Sequence, residues 1–461
     1  MFFRQYYLGC LSHASYLIGD EVSGRAVVVD PQRDVSQYLA DATARGLRIE
    51  RVIETHFHAD FLSGHLELAA VTGAVISYGE AAAGKAAYAI ETLADGQRLS
   101  LGEVTIEVLA TPGHTPESIC LVVRESADAE PYGVLTGDTL FIGDVGRPDL
   151  LTSVGVTQDG LARQLHRSLR DKLLALPDAT QVFPAHGAGS ACGKQLSTET
   201  VSTIGEQRSS NYALAPMSED EFVAVVTEGQ SAAPLYFAFA ASRNKEAHEL
   251  LAEAGSPPWL PLDEVLARQA AGAVVLDTRA PADFARGHLR GSLNVGLEGR
   301  FAEYAGDIIR ADQDIVLVGE PGHEREARLR LGRIGFDRVV GALEEPVAAF
   351  LARPDLVEAS SRLTAAELAQ RLDSGADVQV LDVRAPGETR LGSVAGSVNV
   401  PLPQLLDRLG ELGPGRPTVV VCAGGYRSSI GASVLAAASF ADVSDLLGGY
   451  AAWAAAAEPA G

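Results

Sequence analysis

Three side chains able to bind a metal fall within five residues in Thr55-His56-Phe57-His58-Ala59-Asp60-Phe61. Imidazole is a borderline nitrogen donor and carboxylate a hard oxygen donor, so the HxHxD spacing offers a metal site. Polar loop residues with ordinary hydrogen bonds account well for a lone histidine and poorly for three such groups together. A second stretch supports different chemistry. In Val419-Val420-Val421-Cys422-Ala423-Gly424-Gly425-Tyr426-Arg427-Ser428 an apolar run delivers a cysteine into a glycine-rich loop. Loop amides and the N-terminus of a following helix direct partial positive charge at the sulfur, which stabilises a reactive thiolate. A small buried hydrophobe is the commoner fate of a cysteine, but that role leaves the glycines and Arg427 without a reason.

Such groups need elements to position them. The HxHxD cluster follows a β-like run, Ile49 to Glu54, and precedes a helical run from near Leu62. Further donors sit in glycine-bounded turns: His114 in Thr111-Pro112-Gly113-His114-Thr115, Asp138 in Thr136-Gly137-Asp138-Thr139, His186 in Phe183-Pro184-Ala185-His186-Gly187. Each follows a short apolar segment (Val104 to Leu109, Gly133 to Leu135, Gln181 to Phe183), which places it at a strand end. Arg147, shortly after Asp138, is placed to meet a substrate carboxylate or to form a surface ion pair. Cys192 lies in the loop after His186; a structural role and a sulfur-relay or redox role are both open. Cys10 and Cys120 lie in apolar surroundings and read as inert. Behind Cys422, a helix is expected over Ser429 to Ala438.

In this order His56, His58, Asp60, His114, Asp138 and His186 resemble the metallo-β-lactamase fold over about residues 1–215. The resemblance implies an αββα sandwich whose strand-end loops build a metal site along one edge; function has to be argued from the site. Two fillings compete. A two-zinc hydrolase of this fold activates a bridging water, and its second metal would take Asp60, the residue at position 61, Asp138 and His186. Phe61 cannot bind metal. The other filling is one metal on His56, His114 and Asp138 with open positions, the two-histidine, one-carboxylate arrangement of non-heme Fe(II) oxygenases. Persulfide dioxygenases of this fold resemble that pattern, which implies one Fe(II) per chain on those three residues. His58, Asp60 and His186 are then groups beside the metal or facing substrate, with ligation by His58 left open. Phe61 favours iron.

The cysteine loop resembles the rhodanese pattern CxxGxR, which implies Cys422 as sulfur carrier with Arg427, and Ala423, Gly424, Gly425 and Tyr426 as the sulfur-binding loop. Phosphatases of related fold use a wider cradle. An internal repeat lies upstream. Leu276-Asp277-Thr278-Arg279-Ala280-Pro281 recurs as Leu381-Asp382-Val383-Arg384-Ala385-Pro386, and Gly291-Ser292-Leu293-Asn294-Val295 as Gly396-Ser397-Val398-Asn399-Val400. Both copies resemble rhodanese modules. The first runs from Ile315 to Val318 into Gly319-Glu320-Pro321-Gly322-His323-Glu324, with no cysteine between Cys192 and Cys422. It cannot carry a persulfide itself, and its loop is acidic.

At 461 residues, about three domains are expected. They are a metallo-β-lactamase-type domain over 1–256, with an acidic helical extension around Met217 to Ala254, then a cysteine-less rhodanese-like domain over 257–356. An active rhodanese domain over 357–461 ends in a helix from Ala451 to Ala457. All are α/β, the rhodanese domains with parallel sheets. Breaks fall at Gly255-Ser256-Pro257-Pro258 and from Arg353-Pro354 to Ser361. No apolar span of about 18 residues suggests a membrane helix, and Met1 to Tyr7 lacks the pattern of a secretory signal. Four cysteines give no disulfide framework, so a cytoplasmic setting is expected. A formal charge of −23 argues against nucleic acid and anionic membranes as partners. It also repels persulfide, sulfite and thiosulfate, so their entry depends on local cations. The expected function is oxidation of a low-molecular-weight thiol persulfide by O2 to sulfite, coupled to sulfurtransfer that forms or uses thiosulfate. The alternative is a zinc-dependent, glyoxalase II-like thioester hydrolase fused to a sulfurtransferase. A sensor or scaffold with a vestigial site fits the intact ligand set and Cys422 loop less well. A homo-oligomer is left open.

Overall fold

Alternation along the strands sets the layers of the first half of the chain. Ile18, Val27, Val29, Leu121 and Val123 share one apolar cluster. Their neighbours point the other way: Leu17 and Val28 into a second cluster with Tyr38, Ala42 and Leu68, and Cys120 and Val122 into a third with Ala162, Leu165 and Leu169. Because successive strand side chains face opposite sides, the first cluster lies between two sheets and the others lie under helices. The result is an αββα sandwich. Burial of each such aliphatic side chain stabilises it by about 1.5–3 kcal/mol.

The computed structural model describes residues 1–150, 156–251 and 255–457. It divides into two compact units, Met1–Gln230 with Phe237–Leu251, and Ser231–Tyr236 with the described residues beyond 254. In the first unit one six-stranded sheet runs in chain order through Phe2–Leu8, His13–Asp20, Arg25–Val29, Arg48–Ile53, Val75–Gly79 and Glu91–Leu93. The facing sheet has the order Ser202–Thr203, Gln181–Pro184, Gly133–Gly137, Ile119–Arg124, Thr105–Ala110, Arg98–Ser100. The extension expected around Met217 to Ala254 is two short helices, Glu219–Thr227 and Phe237–Arg243. Gly229, at φ 74°, and Pro234 stop helix propagation between them; positions 252–254 lie outside the described residues.

The second unit holds two five-stranded parallel sheets of the same order. One is Trp259–Leu260, Val339–Leu343, Ile315–Val318, Val274–Asp277, Leu293–Asn294; the other is Ser361–Leu363, Val443–Leu446, Thr418–Val421, Gln379–Asp382, Val398–Asn399. The segment Val357–Glu358, in the expected break, pairs back onto His288–Leu289 of the first module. The final helix is Gly449–Ala457. No helix among the described residues is long and apolar enough to cross a membrane.

Candidate metal centre and sulfur loop

The strand Arg48–Ile53 ends at a turn whose hydrogen bonds fix one histidine tautomer. Asp30 accepts from Thr55 N at 2.7 Å and from Thr55 Oγ1 at 2.9 Å. Having given its proton to Asp30, Thr55 Oγ1 accepts from His56 Nδ1 at 3.0 Å, which leaves the His56 Nε2 lone pair free. A carbonyl can only accept, so His114 Nδ1, 2.8 Å from Arg147 O, and His186 Nδ1, 3.1 Å from Ser12 O, also carry protons.

All three lone pairs face one carboxylate. Asp138 Oδ2 lies 3.5 Å from His114 Nε2 and 3.9 Å from His56 Nε2, and Oδ1 lies 3.5 Å from His186 Nε2. Both Asp138 oxygens and the Nε2 atoms of His56 and His186 are buried without a hydrogen-bond partner. Burial, then the neighbouring His58 and His114 rings, hold His56 neutral. Lone pairs converging on a buried carboxylate repel unless a cation lies among them, so this donor set fits a metal ion. The close approach of the loops depends on Gly146, where a Cβ would stand 1.9 Å from Asp138 O.

His56, His114 and Asp138 offer ligand atoms within 4.8 Å of one another, and so do His58, Asp60 and His186. His58 directs Nε2 at Asp30, 3.1 Å, and Glu54, 3.4 Å, leaving only Nδ1 for the site. Burial pulls its pKa down, but the two carboxylates outweigh that and hold it well above the usual histidine range. Phe61, 1% exposed, places its ring 4.4 Å from His58 and 3.9 Å from His13. Cys192 joins Asp138 and His186 within the same 4.8 Å; burial, then Asp60 and Asp138, push its pKa well up, so it stands there as a thiol. The Arg147 guanidinium binds Asp149 at 2.6 and 2.7 Å and Ala191 O at 3.2 Å. Its main chain links the His114 ring to the Cys192 loop. Cys120 is buried and its thiol is pushed up to about 11 by desolvation, whereas Cys10 is only half-buried.

Sequence reasoning missed several members of this shell. Thr55, Asp30 and Ser12 act through hydrogen bonds that no motif announces. His13, a lone histidine opening a strand, gave no signal. Asn244 donates to the carbonyls of His58 and Phe61, both at 2.8 Å, and accepts from Ser63 N at 2.9 Å.

In the second unit Cys422 ends the strand Thr418–Val421 and is 1% exposed. Gly425 N donates to Cys422 Sγ at 3.1 Å, and Ser428 Oγ lies 3.4 Å from the sulfur. Gly425 holds φ at 100°, a conformation that favours glycine and turns its amide inward at the start of the helix Tyr426–Ala437. Ala423 and Gly424 are exposed. Arg427 pairs bidentately with Glu388, at 2.8 and 2.7 Å, a partner the sequence did not suggest. In the first module Val318 pairs with Asp277 as Val421 does with Asp382, so Gly319 takes the place of Cys422.

A parallel-stranded repeat and a histidine–aspartate edge site in an αββα sandwich define the class. The metallo-beta-lactamase superfamily model matches residues 8–186, and the rhodanese-like domain model matches 261–352 and 364–456. Persulfide dioxygenase ETHE1, mitochondrial, of Bos taurus is 32% identical over 232 residues, covering 50% of this chain and 82% of that protein. Hydroxyacylglutathione hydrolase of a Polaromonas species is 33% identical over 173 residues, 37% of this chain and 61% of that protein. A crystal structure of a metallo-beta-lactamase from Staphylococcus aureus subsp. aureus COL matches with a TM-score of 0.67 at 33% identity, covering 75% of this chain and 99% of that one. The chain belongs to the metallo-beta-lactamase superfamily. It joins such a domain, with persulfide dioxygenase homologues, to two rhodanese-like domains.

Proposed function

We propose that the chain is a mononuclear non-heme Fe(II) persulfide dioxygenase joined to a sulfurtransferase, acting in sulfide detoxification. The observation that carries this reading is the convergence of the His56 and His114 Nε2 lone pairs on Asp138, with the Phe61 ring, which cannot bind metal, packed 4.4 Å from that of His58. Bound by these three residues, Fe(II) would supply the activation of O2 that oxidises the outer sulfur of a persulfide, RSSH, to sulfite. The chain's own residues prepare the site. Thr55 and the Arg147 carbonyl hold the two rings in the ligating tautomer, and Phe61 excludes water and a second cation. The Cys192 thiol and His186 face the same space and bound the substrate's approach. At the other site the Cys422 thiolate takes a sulfane sulfur and passes it to sulfite, giving thiosulfate, or runs in reverse from thiosulfate.

A second reading, a zinc thioester hydrolase with a fused sulfurtransferase, is favoured by the gathering of His58, Asp60 and His186. Metal analysis of protein purified without oxygen, joined to oxygen uptake, separates the two. About one iron per chain with persulfide-dependent O2 consumption is the expected result. About two zinc ions with thioester hydrolysis would replace it with the alternative.

A further inference from the structure

We propose that the cavity of the cysteine-less rhodanese module binds the zwitterionic, low-molecular-weight thiol whose persulfide loads Cys422. This rests on Cys422 being a sulfur carrier and names the substrate class of that step.

The cavity has a volume of about 710 Å³, within the range of about 300–1,000 Å³ typical of organic-ligand sites and far larger than thiosulfate or sulfite needs. It lies at the strand ends where a rhodanese module would keep its own sulfur loop, yet this module has no such chemistry. Gly319 stands in for the cysteine. The amide of Gly322, at φ 97° the counterpart of Gly425 at φ 100°, donates to the Glu324 carboxylate at 3.0 and 3.1 Å. A buried carboxylate thus fills the anion cradle, while the space beside it stays open.

One wall comes from the neighbouring module. Tyr426 lines the cavity, donates through its hydroxyl to Gly296 O at 2.7 Å and packs its ring 5.5 Å from that of Tyr304. Tyr426 directly follows Gly425, whose amide touches the Cys422 sulfur at 3.1 Å. One short peptide therefore builds both the cavity wall and the sulfur cradle.

The lining chooses between ligand classes. Arg279, Arg300 and Arg330 line the cavity together with Glu298, Glu320 and Glu326; Arg279 is paired with Asp277, Arg300 with Glu303, and Arg330 with Glu326 and the Leu297 carbonyl. With these guanidinium groups already neutralised a simple anion gains little there, whereas a molecule carrying both an ammonium and a carboxylate finds the Glu298 and Glu320 carboxylates for the first and the remaining N–H donors of Arg279 and Arg300 for the second. In the step served, the Cys422 thiolate attacks the outer sulfur of RS–SH. A Cys–S–SH bond forms, the RS–SH bond breaks, and RS⁻ leaves and takes up a proton as RSH. No external oxidant or reductant is needed.

The test uses the full chain without oxygen, so that only the Cys422 step proceeds, and follows the gain of one sulfur atom on the Cys422 peptide by mass spectrometry. Donors are glutathione persulfide, cysteine persulfide and thiosulfate. Leu297→Trp fills the cavity; Glu298→Arg, at an exposed position, reverses a charge without disturbing packing. Each variant should raise the half-saturating concentration of at least one persulfide about tenfold while moving that of thiosulfate less than about twofold. Equal shifts for all donors, or no persulfide shift in either variant, would overturn the cavity assignment while leaving sulfur transfer standing. Wild-type protein that takes no sulfur onto Cys422 from any donor would overturn both.

Discussion

The Gly322 amide donates to both carboxylate oxygens of Glu324, at 3.1 and 3.0 Å, where the corresponding Gly425 amide meets the sulfur of Cys422. The first rhodanese module therefore differs from the second by more than a missing thiol. Restoring a cysteine would set its thiolate beside a carboxylate, a repulsion of roughly 1–4 kcal/mol at contact distance, depending on the local dielectric. In a Cys422→Ser background, Gly319→Cys should gain no sulfur from thiosulfate, and Gly319→Cys with Glu324→Gln should gain it. The new Cβ would stand 2.6 Å from Thr278 Oγ1, so circular dichroism of each variant must first show a retained fold. Peptide mass spectrometry then reads the outcome.

Thr55 ties the His56 ring to Asp30 without itself reaching the metal position. Thr55→Ala removes the acceptor that fixes the tautomer, and outer-shell losses of this kind lower metal affinity about 10–100-fold. Chelator competition on protein reloaded anaerobically with Fe(II) should show that drop. Removing His114 or Asp138 should abolish both metal binding and persulfide-dependent O2 uptake, with thiosulfate sulfurtransferase activity near wild type.

Phe61→His tests why the site would hold one metal. A histidine beside Asp60, Asp138 and His186 supplies the donor that phenylalanine lacks. Zinc stoichiometry should rise from about one to about two per chain under excess zinc, and oxygenation should fall. A stoichiometry that stays at one would assign the block to another feature, such as the commitment of His58 to Asp30 and Glu54.

Cys120 gives a pH dependence of stability with a defined sign. Burial raises its pKa from 9.0 to about 11. Between those values the unfolded thiol ionises and the folded one does not, so the folded state binds more protons and stability falls as pH rises. Cys120→Val removes this loss; Thr111, the hydroxyl beside the sulfur, keeps Thr139 as a partner at 3.0 Å. In urea unfolding, the stability of the variant relative to wild type should grow by about 2 kcal/mol from pH 8 to pH 10.5. No growth in that difference would show that the thiol ionises equally in both states.

The candidate ligand residues, whose donor atoms the structure gathers in groups within 4.8 Å of one another, were legible in the sequence because histidines and carboxylates are compact chemical signals and sit at strand ends that apolar runs disclose. The repeat was legible because Asp-x-Arg and Gly-Ser-x-Asn-Val survive in both copies. Asn244 was not legible. It acts on His58 and Phe61 through backbone carbonyls, which look alike in every residue, and reaches them only through tertiary packing. Arg147 was visible as a cation, but its guanidinium goes to Asp149 and Ala191 O, a choice set by local loop geometry that charge alone does not dictate. Glu388 was hidden for a related reason: an acidic residue in a short helix carries no mark of its distant partner, Arg427.

Coupling of the two chemistries is tested at Cys422. Its sulfur receives the Gly425 amide at 3.1 Å and lies 3.4 Å from Ser428 Oγ, so serine keeps the size and much of the polarity. An alkoxide is far harder to form than a thiolate and cannot hold a sulfane sulfur. Cys422→Ser should therefore oxidise persulfide and stop at sulfite, whereas wild type with surplus persulfide accumulates thiosulfate. The first module cannot rescue it, having Gly319 in the matching position. Cys192 is the remaining candidate, since it shares its surroundings with Asp138 and His186. Sulfite and thiosulfate are separated by thiol derivatisation and chromatography after anaerobic mixing and a measured oxygen pulse, with the nonenzymatic sulfite–persulfide reaction subtracted using heat-inactivated protein. Thiosulfate that persists in Cys422→Ser and disappears only with added Cys192→Ser would move the sulfur relay into the metal-binding unit. Thiosulfate undiminished in the double variant would end the coupled mechanism, because among the described residues the remaining cysteines are Cys10 and the buried Cys120, neither of which the mechanism uses.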